Sequence, residues 1–401
     1  MSRSMNIFVQ YASDCLTDHL PHGEGLLCHD WIKALALRGH RLFVFTEKNE
    51  VRQPIPNTTI KEASKYHGLP SWKYWSYSKQ SAAWLSAIQQ DSAIDLVWRL
   101  YPYRNSAPYI FTAGLPLAIG PLYSAYEQDP PVQKPAFGWK PSEMSVYFSH
   151  SGWKRAIEAS NLLFTESKNL AAQLSAIYPK KYITTLPVIV HPTLEVTARE
   201  LSPAGKPLRL AFVGSFHPSK RLPDFVRLVA RLNEAGRDTH GYIMGKGQDE
   251  GVARQLVEEL QVGQRIHFEG VLPNSEVYQQ VASMDFLVTL CPEPYGRNIV
   301  EAMSVGTPPI CVNRLGPASY LKDGETGFLL DDTSVEAYSK LILNVGQRPD
   351  LWKQVSEQAR QHTLQWRESI IGEQLETHFH KIITAKGHLP ATPLAITPSI
   401  S

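Results

Sequence analysis

Short apolar runs alternate with amphipathic stretches along nearly the whole chain. NIFVQY (6–11) and RLFVFT (41–46) have the length and composition of buried strands. Between them, LLCHDWIKALALRG sets Leu26, Leu27, Trp31, Leu35 and Leu37 at roughly helical spacing, with Gly39 as the stop signal. KYWSYSKQSAAWLSAIQQ predicts a second helix and IDLVWR the strand after it. PLAIG, NLLFTES and ITTLPVIV read as further strands. The second half repeats the theme more cleanly. LRLAFVG predicts a strand, LPDFVRLVARLNEAG a helix closed by Gly236, and HGYIMG, RIHFEG, DFLVTL, PPICV and TGFLL predict strands with helical patterns between most of them.

This alternation predicts an α/β protein whose parallel sheets carry helices on both faces. Two Rossmann-like, doubly wound domains facing across a cleft follow, over residues 1–190 and 191–365. An amphipathic helix over 366–386 and a flexible Pro-, Thr- and Ser-rich tail over 387–401 complete the chain. The halves also differ in charge. Residues 1–190 hold 19 Lys/Arg against 14 Asp/Glu and the rest 21 against 24, in keeping with a boundary near Pro192. Ligands of such sheets bind beyond the carboxyl ends of the strands, so the site is expected in the cleft.

Composition narrows the function. With 43% hydrophobic and 19% charged residues over 401 positions, the chain is not of the disordered class. A formal net charge of +2 does not suggest a dedicated nucleic-acid binder. Four cysteines without a C-x-x-C pair support neither a disulfide scaffold nor a redox motif. The start, MSRSMNIFVQ, lacks the regions of a signal peptide. The most apolar stretch, 106–126, carries three Pro and two Gly and reads as strand and turn rather than as a membrane span. A cytoplasmic protein is expected, with peripheral membrane association left open.

The strongest chemical signal is CPEPYGRNIVEAMSVGTPPICV (291–312). It follows a strand, turns through Pro292, Pro294 and Gly296, and opens a helix near Asn298. Glu293 in the loop and Glu301 in the first helical turn can face one ligand. The helix N-terminus suits a phosphate, and carboxylates accept hydrogen bonds from sugar hydroxyls. A phosphate beside two polyols describes a nucleotide sugar. On spacing alone, Glu301 as a helix cap and Glu293 as a solvated loop charge explain the residues equally well.

A second motif, LRLAFVGSFHPSKRL (208–222), ends a strand at Gly214 and places Lys220 before a helix. Glycine admits a ligand close to the backbone, and lysine brings a point charge to a diphosphate. Without a ligand, Lys220 and Arg221 form a solvated helix start. A third, DHLPHGEGLLCHDW (18–31), lies between the first strand and first helix, with Gly23, Glu24 and Gly25 at its centre. His19, His22 and His29 lie near it, although histidines at a helix start are commonly structural. YIMGKGQDEG (242–251) carries Gly-x-Gly after a strand, but its third glycine, Gly251, falls one residue late for a dinucleotide fingerprint.

The run from Glu293 to Glu301, followed by EAMSVGTPPI and DGETGFLL, resembles the retaining nucleotide-sugar glycosyltransferases of GT-B fold known as glycosyltransferase family four. The resemblance covers most of the second half and, less specifically, the first. It implies that Glu301 binds donor ribose hydroxyls and that Glu293 reaches the donor sugar. Backbone N–H groups near Tyr295, Gly296, Arg297 and Asn298 would hold the distal phosphate or sugar. It places Gly23, Glu24 and Gly25 in a loop that approaches donor phosphate and acceptor, the Gly-x-Gly at 245–247 along the donor cleft, and the last helix back on the first domain. Two departures stand out. Ser215 occupies the family's usual Arg position and Arg221 its Gly, so one diphosphate cation must come from elsewhere, with Arg221 and Arg297 as candidates. The first domain lacks the usual His near the transferred sugar; there the chain reads LAIGPLYSAYEQ, and Tyr123, Ser124 and Glu127 are the residues at hand.

The sequence is therefore read as a retaining glycosyltransferase moving a hexose-type sugar from a nucleotide-diphosphate sugar to a hydroxyl acceptor. No Asp-x-Asp tripeptide is present to hold a divalent metal, and no cofactor is expected. A nucleotide-sugar epimerase on the same fold and an inactive sugar-binding relative are the alternatives. Residues 131–155 interleave Lys134, Lys140, Lys154 and Arg155 with five aromatics. Packing on the first domain is preferred there over a lipid surface. A soluble acceptor is the first expectation, with a lipid-linked one kept open.

Overall fold

Apolar runs become parallel strands wherever both faces of a sheet are covered. The computed structural model of the chain describes residues 3–11, 15–20, 22–66, 73–100, 114–122, 156–191 and 199–385. Residues 106–113, Tyr123, Ser124, Glu127 and the basic aromatic stretch 131–155 lie outside these, as does the tail 387–401. The chain divides into two compact units, one of residues 1–189 with 368–401, the other of residues 190–367.

The first unit contains β1 (Asn6–Tyr11), β2 (Leu16–Thr17), α1 (Gly23–Leu37), β3 (Arg41–Thr46), β4 (Asn49–Glu50), β5 (Thr58–Glu62) and α2 (Lys73–Asp91). There follow β6 (Leu96–Leu100), β7 (Leu117–Leu122), β8 (Leu162–Thr165), α3 (Lys168–Ile177) and β9 (Tyr182–Thr185). The seven-stranded parallel sheet runs β5-β3-β1-β6-β7-β8-β9. Its central strands are the apolar runs of the sequence. β5, with the polar sequence TTIKE on the edge, has no apolar signal and was not expected; edge strands are commonly polar because they meet water.

The second unit contains β10 (Leu208–Val213), α4 (Leu222–Glu234), β11 (Thr239–Met244), α5 (Glu250–Glu259), β12 (Ile266–Gly270), α6 (Asn274–Ala282) and β13 (Phe286–Val288). It continues through α7 (Arg297–Ser304), β14 (Pro309–Val312), α8 (Leu315–Tyr320), β15 (Phe328–Leu330), α9 (Val335–Gly346) and α10 (Pro349–Thr363). The last helix, α11 (Glu368–Thr384), belongs to the first unit. It lies against α1 so closely that a Cβ on Gly372 would stand 2.9 Å from the Ala34 carbonyl oxygen. Buried Glu376 of α11 pairs there with Arg38.

The second sheet is six-stranded, parallel, and ordered β12-β11-β10-β13-β14-β15. Phe212, Phe225, Phe286 and Trp352 fill its core. Trp352 donates from its indole N–H to the Asp285 carbonyl at 2.7 Å. The Asp285 carboxylate, fully buried, accepts from the backbone N–H of Ser202 (3.1 Å) and Arg209 (2.7 Å) and pairs with Arg199 at 3.4 Å. This one side chain joins the start of β13 to the start of β10.

Candidate active site

β10 and β13 are neighbours, yet the chain leaves β10 for β11 on one side and leaves β13 for β14 on the other. The crevice beyond their carboxyl ends is the switch point of this sheet. Two loops meet at it, residues 214–221 after β10 and residues 289–296 after β13.

The first loop rests on a bed of glycines. Gly214 N donates to Met244 O (3.0 Å), Phe216 N to Lys246 O (2.9 Å) and Asp249 N to Phe216 O (2.9 Å). Gly245 and Gly247 have φ of 140° and 157°, and a Cβ on Gly245 would stand 1.9 Å from the Gly214 carbonyl oxygen. The Gly-x-Gly that resembled a dinucleotide fingerprint thus seats the Gly214 loop, backbone against backbone. Gly245→Ala adds both backbone strain and a clash, and is expected to cost about 2–4 kcal/mol. Gly251, in α5 with open space around it, serves as the comparison, and Gly251→Ala should leave the urea midpoint unchanged or raise it slightly. Equal midpoints for the two variants would refute this seating role.

Further along this loop, His217 accepts from Ser219 N and opens a single 3-10 turn, Pro218–Lys220. The turn ends at Arg221 in the left-handed region (φ 59°). Arg221 is not turned toward a ligand. Its guanidinium bonds Asp224 (2.8 Å), the Leu290 carbonyl (3.1 Å) and the Thr333 carbonyl (2.9 Å), and so ties the two loops together. Ser215 is exposed. Lys220 reaches across, with Nζ 2.5 Å from Glu293 Oε1.

Glu293 is buried, and its Oε1 also stands 3.5 Å from Cys291 Sγ. Burial first, then the neighbouring carboxylate, pushes the Cys291 thiol up to about 12, so it stays protonated and is no nucleophile at neutral pH. The Glu293 carbonyl accepts from Gly316 N at 3.0 Å, and a Cβ on Gly316 would stand 2.1 Å from the Pro294 carbonyl oxygen. Tyr320 donates to the Tyr295 carbonyl at 3.0 Å. Gly316 and Tyr320 therefore hold the glutamate loop from behind. Nothing in the sequence marks them, because the close approach at Gly316 and the hydrogen bond from Tyr320 exist only in the folded chain.

Gly296 (φ 64°) precedes α7 and starts it at Arg297. Glu301 is consequently the fifth residue of the helix, in its second turn rather than its first. Asn298 donates to the Val213 carbonyl at 2.8 Å and ties α7 to the end of β10. Arg297 Nε stands 2.7 Å from Glu301 Oε1, with both side chains largely buried. The second unit thus brings Gly214, Ser215, Lys220, Glu293, Tyr295, Gly296, Arg297, Asn298 and Glu301 to one end of one sheet.

Gly23, Glu24 and Gly25 lie elsewhere, in the first unit. They form the first turn of α1, not a loop. His22 caps that helix, accepting from Gly25 N at 3.0 Å, which extends it three residues upstream of the apolar pattern. Gly25 is glycine for packing, since a Cβ would stand 2.2 Å from the Cys15 carbonyl oxygen. His19 and His29 stand beside Asp18 and Asp30 at 2.9 and 3.4 Å.

Residues 195–362, which carry both loops, match the family model described as Glycosyl transferases group 1. This stretch is similar to the glycosyltransferases of group 1. The lipopolysaccharide core biosynthesis glycosyltransferase LpsE of Rhizobium meliloti is 27% identical over 142 residues, 35% of this chain and 40% of LpsE. The N-acetyl-alpha-D-glucosaminyl L-malate synthase of Bacillus anthracis is 22% identical over 374 residues, 90% of this chain and 94% of that protein. Among solved structures, Anabaena HepE in complex with UDP and glucose is similar to this chain with a TM-score of 0.68. It is 15% identical, and the match covers 94% of this chain and 99% of HepE. That likeness bears on fold, and the fold is GT-B. Among the described residues, no helix of the chain is long and apolar enough to cross a membrane.

Proposed function

We propose that the protein transfers a hexose-type sugar from a nucleotide-diphosphate sugar to a hydroxyl acceptor, with retention at the anomeric carbon. The observation that carries this reading is the pairing of Lys220 with Glu293 and of Arg297 with Glu301 at the switch point. Cations suit the departing diphosphate, and the carboxylates suit ribose and sugar hydroxyls. The chemical task is to stabilise a leaving diphosphate while positive charge develops on the sugar. Glu293, whose backbone carbonyl is held by the Gly316 N–H, positions the donor sugar; retention then follows from acceptor attack on the face the phosphate leaves, the phosphate taking the acceptor proton. On this reading protein groups neutralise the diphosphate without a metal or other cofactor. HepE, crystallised with UDP and glucose, is the precedent for the donor class.

The test is incubation with a panel of nucleotide sugars and hydroxyl acceptors, following release of nucleoside diphosphate and the anomeric configuration of the product by NMR. Acceptor-dependent release with retained configuration is expected. A donor converted to its epimer without acceptor would instead favour an epimerase, and donor binding without turnover across the panel an inactive relative.

A further inference from the structure

In the structure, the two carboxylates and two of the cations of the switch-point crevice are paired with one another. Lys220 is paired with Glu293 and Arg297 with Glu301. The second pair is the drier one, its side chains 12% and 10% exposed. A buried pair of this kind persists because each partner compensates the other's desolvation, so neither leaves unless something replaces it. A diphosphate replaces the carboxylate at Arg297, and a ribose diol replaces the guanidinium at Glu301. A ligand carrying only one of the two groups must strand one buried charge.

We infer that Arg297 supplies the diphosphate cation that Ser215 cannot, and that donor binds by exchange of ion pairs. The phosphates draw Arg297 off Glu301 and Lys220 off Glu293, and the released carboxylates take ribose and sugar hydroxyls. This rests on the donor reading above. The rival cation, Arg221, is committed to Asp224 and to two backbone carbonyls, which a phosphate would have to displace. Arg297 is paired with a carboxylate that a ribose diol can satisfy in its place, and it is the first residue of α7, whose N-terminal dipole favours the same anion. Phosphate and ribose recognition are thereby coupled through one salt bridge.

The coupling gives opposite signs for one substitution. Arg297→Gln removes the phosphate contact and also removes the group that competes for Glu301. Calorimetry on the full chain with uridine, UMP and UDP, and with the adenosine and guanosine series, identifies the base and measures each step. For that base, Arg297→Gln is expected to weaken the nucleoside diphosphate by about tenfold or more while tightening the nucleoside. Arg297→Lys, which keeps the charge, is expected to recover much of the diphosphate affinity. Equal losses of nucleoside and diphosphate, or an unchanged diphosphate affinity, would overturn the assignment and make Arg297 a structural partner of Glu301. If the unaltered protein binds no nucleoside diphosphate of the panel, the donor reading falls first and the exchange with it. That outcome differs from failure of Arg297 alone, in which the unaltered protein binds.

Discussion

Glu301→Ala is expected to weaken nucleoside binding by about 2–4 kcal/mol, since a carboxylate that accepts from two hydroxyls is lost with both. The nucleoside diphosphate should lose a similar amount, because either ligand gives up the same ribose contact and is spared the same break of the 2.7 Å Arg297–Glu301 pair. Glu301→Gln keeps the side chain's shape and controls for the space that truncation leaves. Titration calorimetry with nucleoside and diphosphate reads both quantities. Nucleoside affinity and transfer rate unchanged from the parent would reduce Glu301 to a helix residue that neutralises Arg297.

The other large effect concerns stability. Asp285→Ala is expected to cost about 3–5 kcal/mol in urea unfolding of the second unit. It removes the carboxylate partner of Arg199, which keeps only its bonds to the carbonyls of Ala282 and Met284, and it leaves the backbone N–H groups of Ser202 and Arg209 without their acceptor. Asp285→Asn retains one acceptor oxygen and should cost less, while Trp352, bonded to the backbone carbonyl of the same residue, keeps its partner in both. A loss under about 1 kcal/mol for Asp285→Ala would mean that water or local rearrangement replaces the network. Because β13 leads directly into the glutamate loop, a variant that survives should still show a weakened donor site.

These two predictions draw on different layers of information. The strands could be read from the chain because a parallel strand covered on both faces must be apolar along its whole length. LRLAFVG and DFLVTL come close to that condition, departing at Arg209 and at Asp285 and Thr289, PPICV meets it, and β10, β13 and β14 lie within them. The α/β class follows from their alternation with helical stretches. The edge strand β5 escaped the same test because half of its hydrogen-bonding and most of its side chains face water. The upstream start of α1 escaped because a histidine cap and two glycines carry no apolar period.

By itself, then, the sequence determined the layered parallel architecture and the set of residue types near the switch point, since both depend on local pattern and loop position. Tertiary structure decided what those residues do to one another. Strand order is a matter of non-local pairing, so only the folded sheet puts β10 beside β13 and creates the crevice between them. Arg221 and Arg297 are equivalent as letters, two guanidinium groups near a phosphate motif. They separate because Arg221, at φ 59°, points back into Asp224 and the carbonyls of Leu290 and Thr333, whereas Arg297 turns along its helix to Glu301. Asp285 is only the first letter of the predicted strand DFLVTL until the fold brings Arg199, Ser202 and Arg209 to it across more than seventy residues of chain. Hydrogen bonds and ion pairs act over a few ångströms, and that proximity is a property of the packed chain rather than of its order.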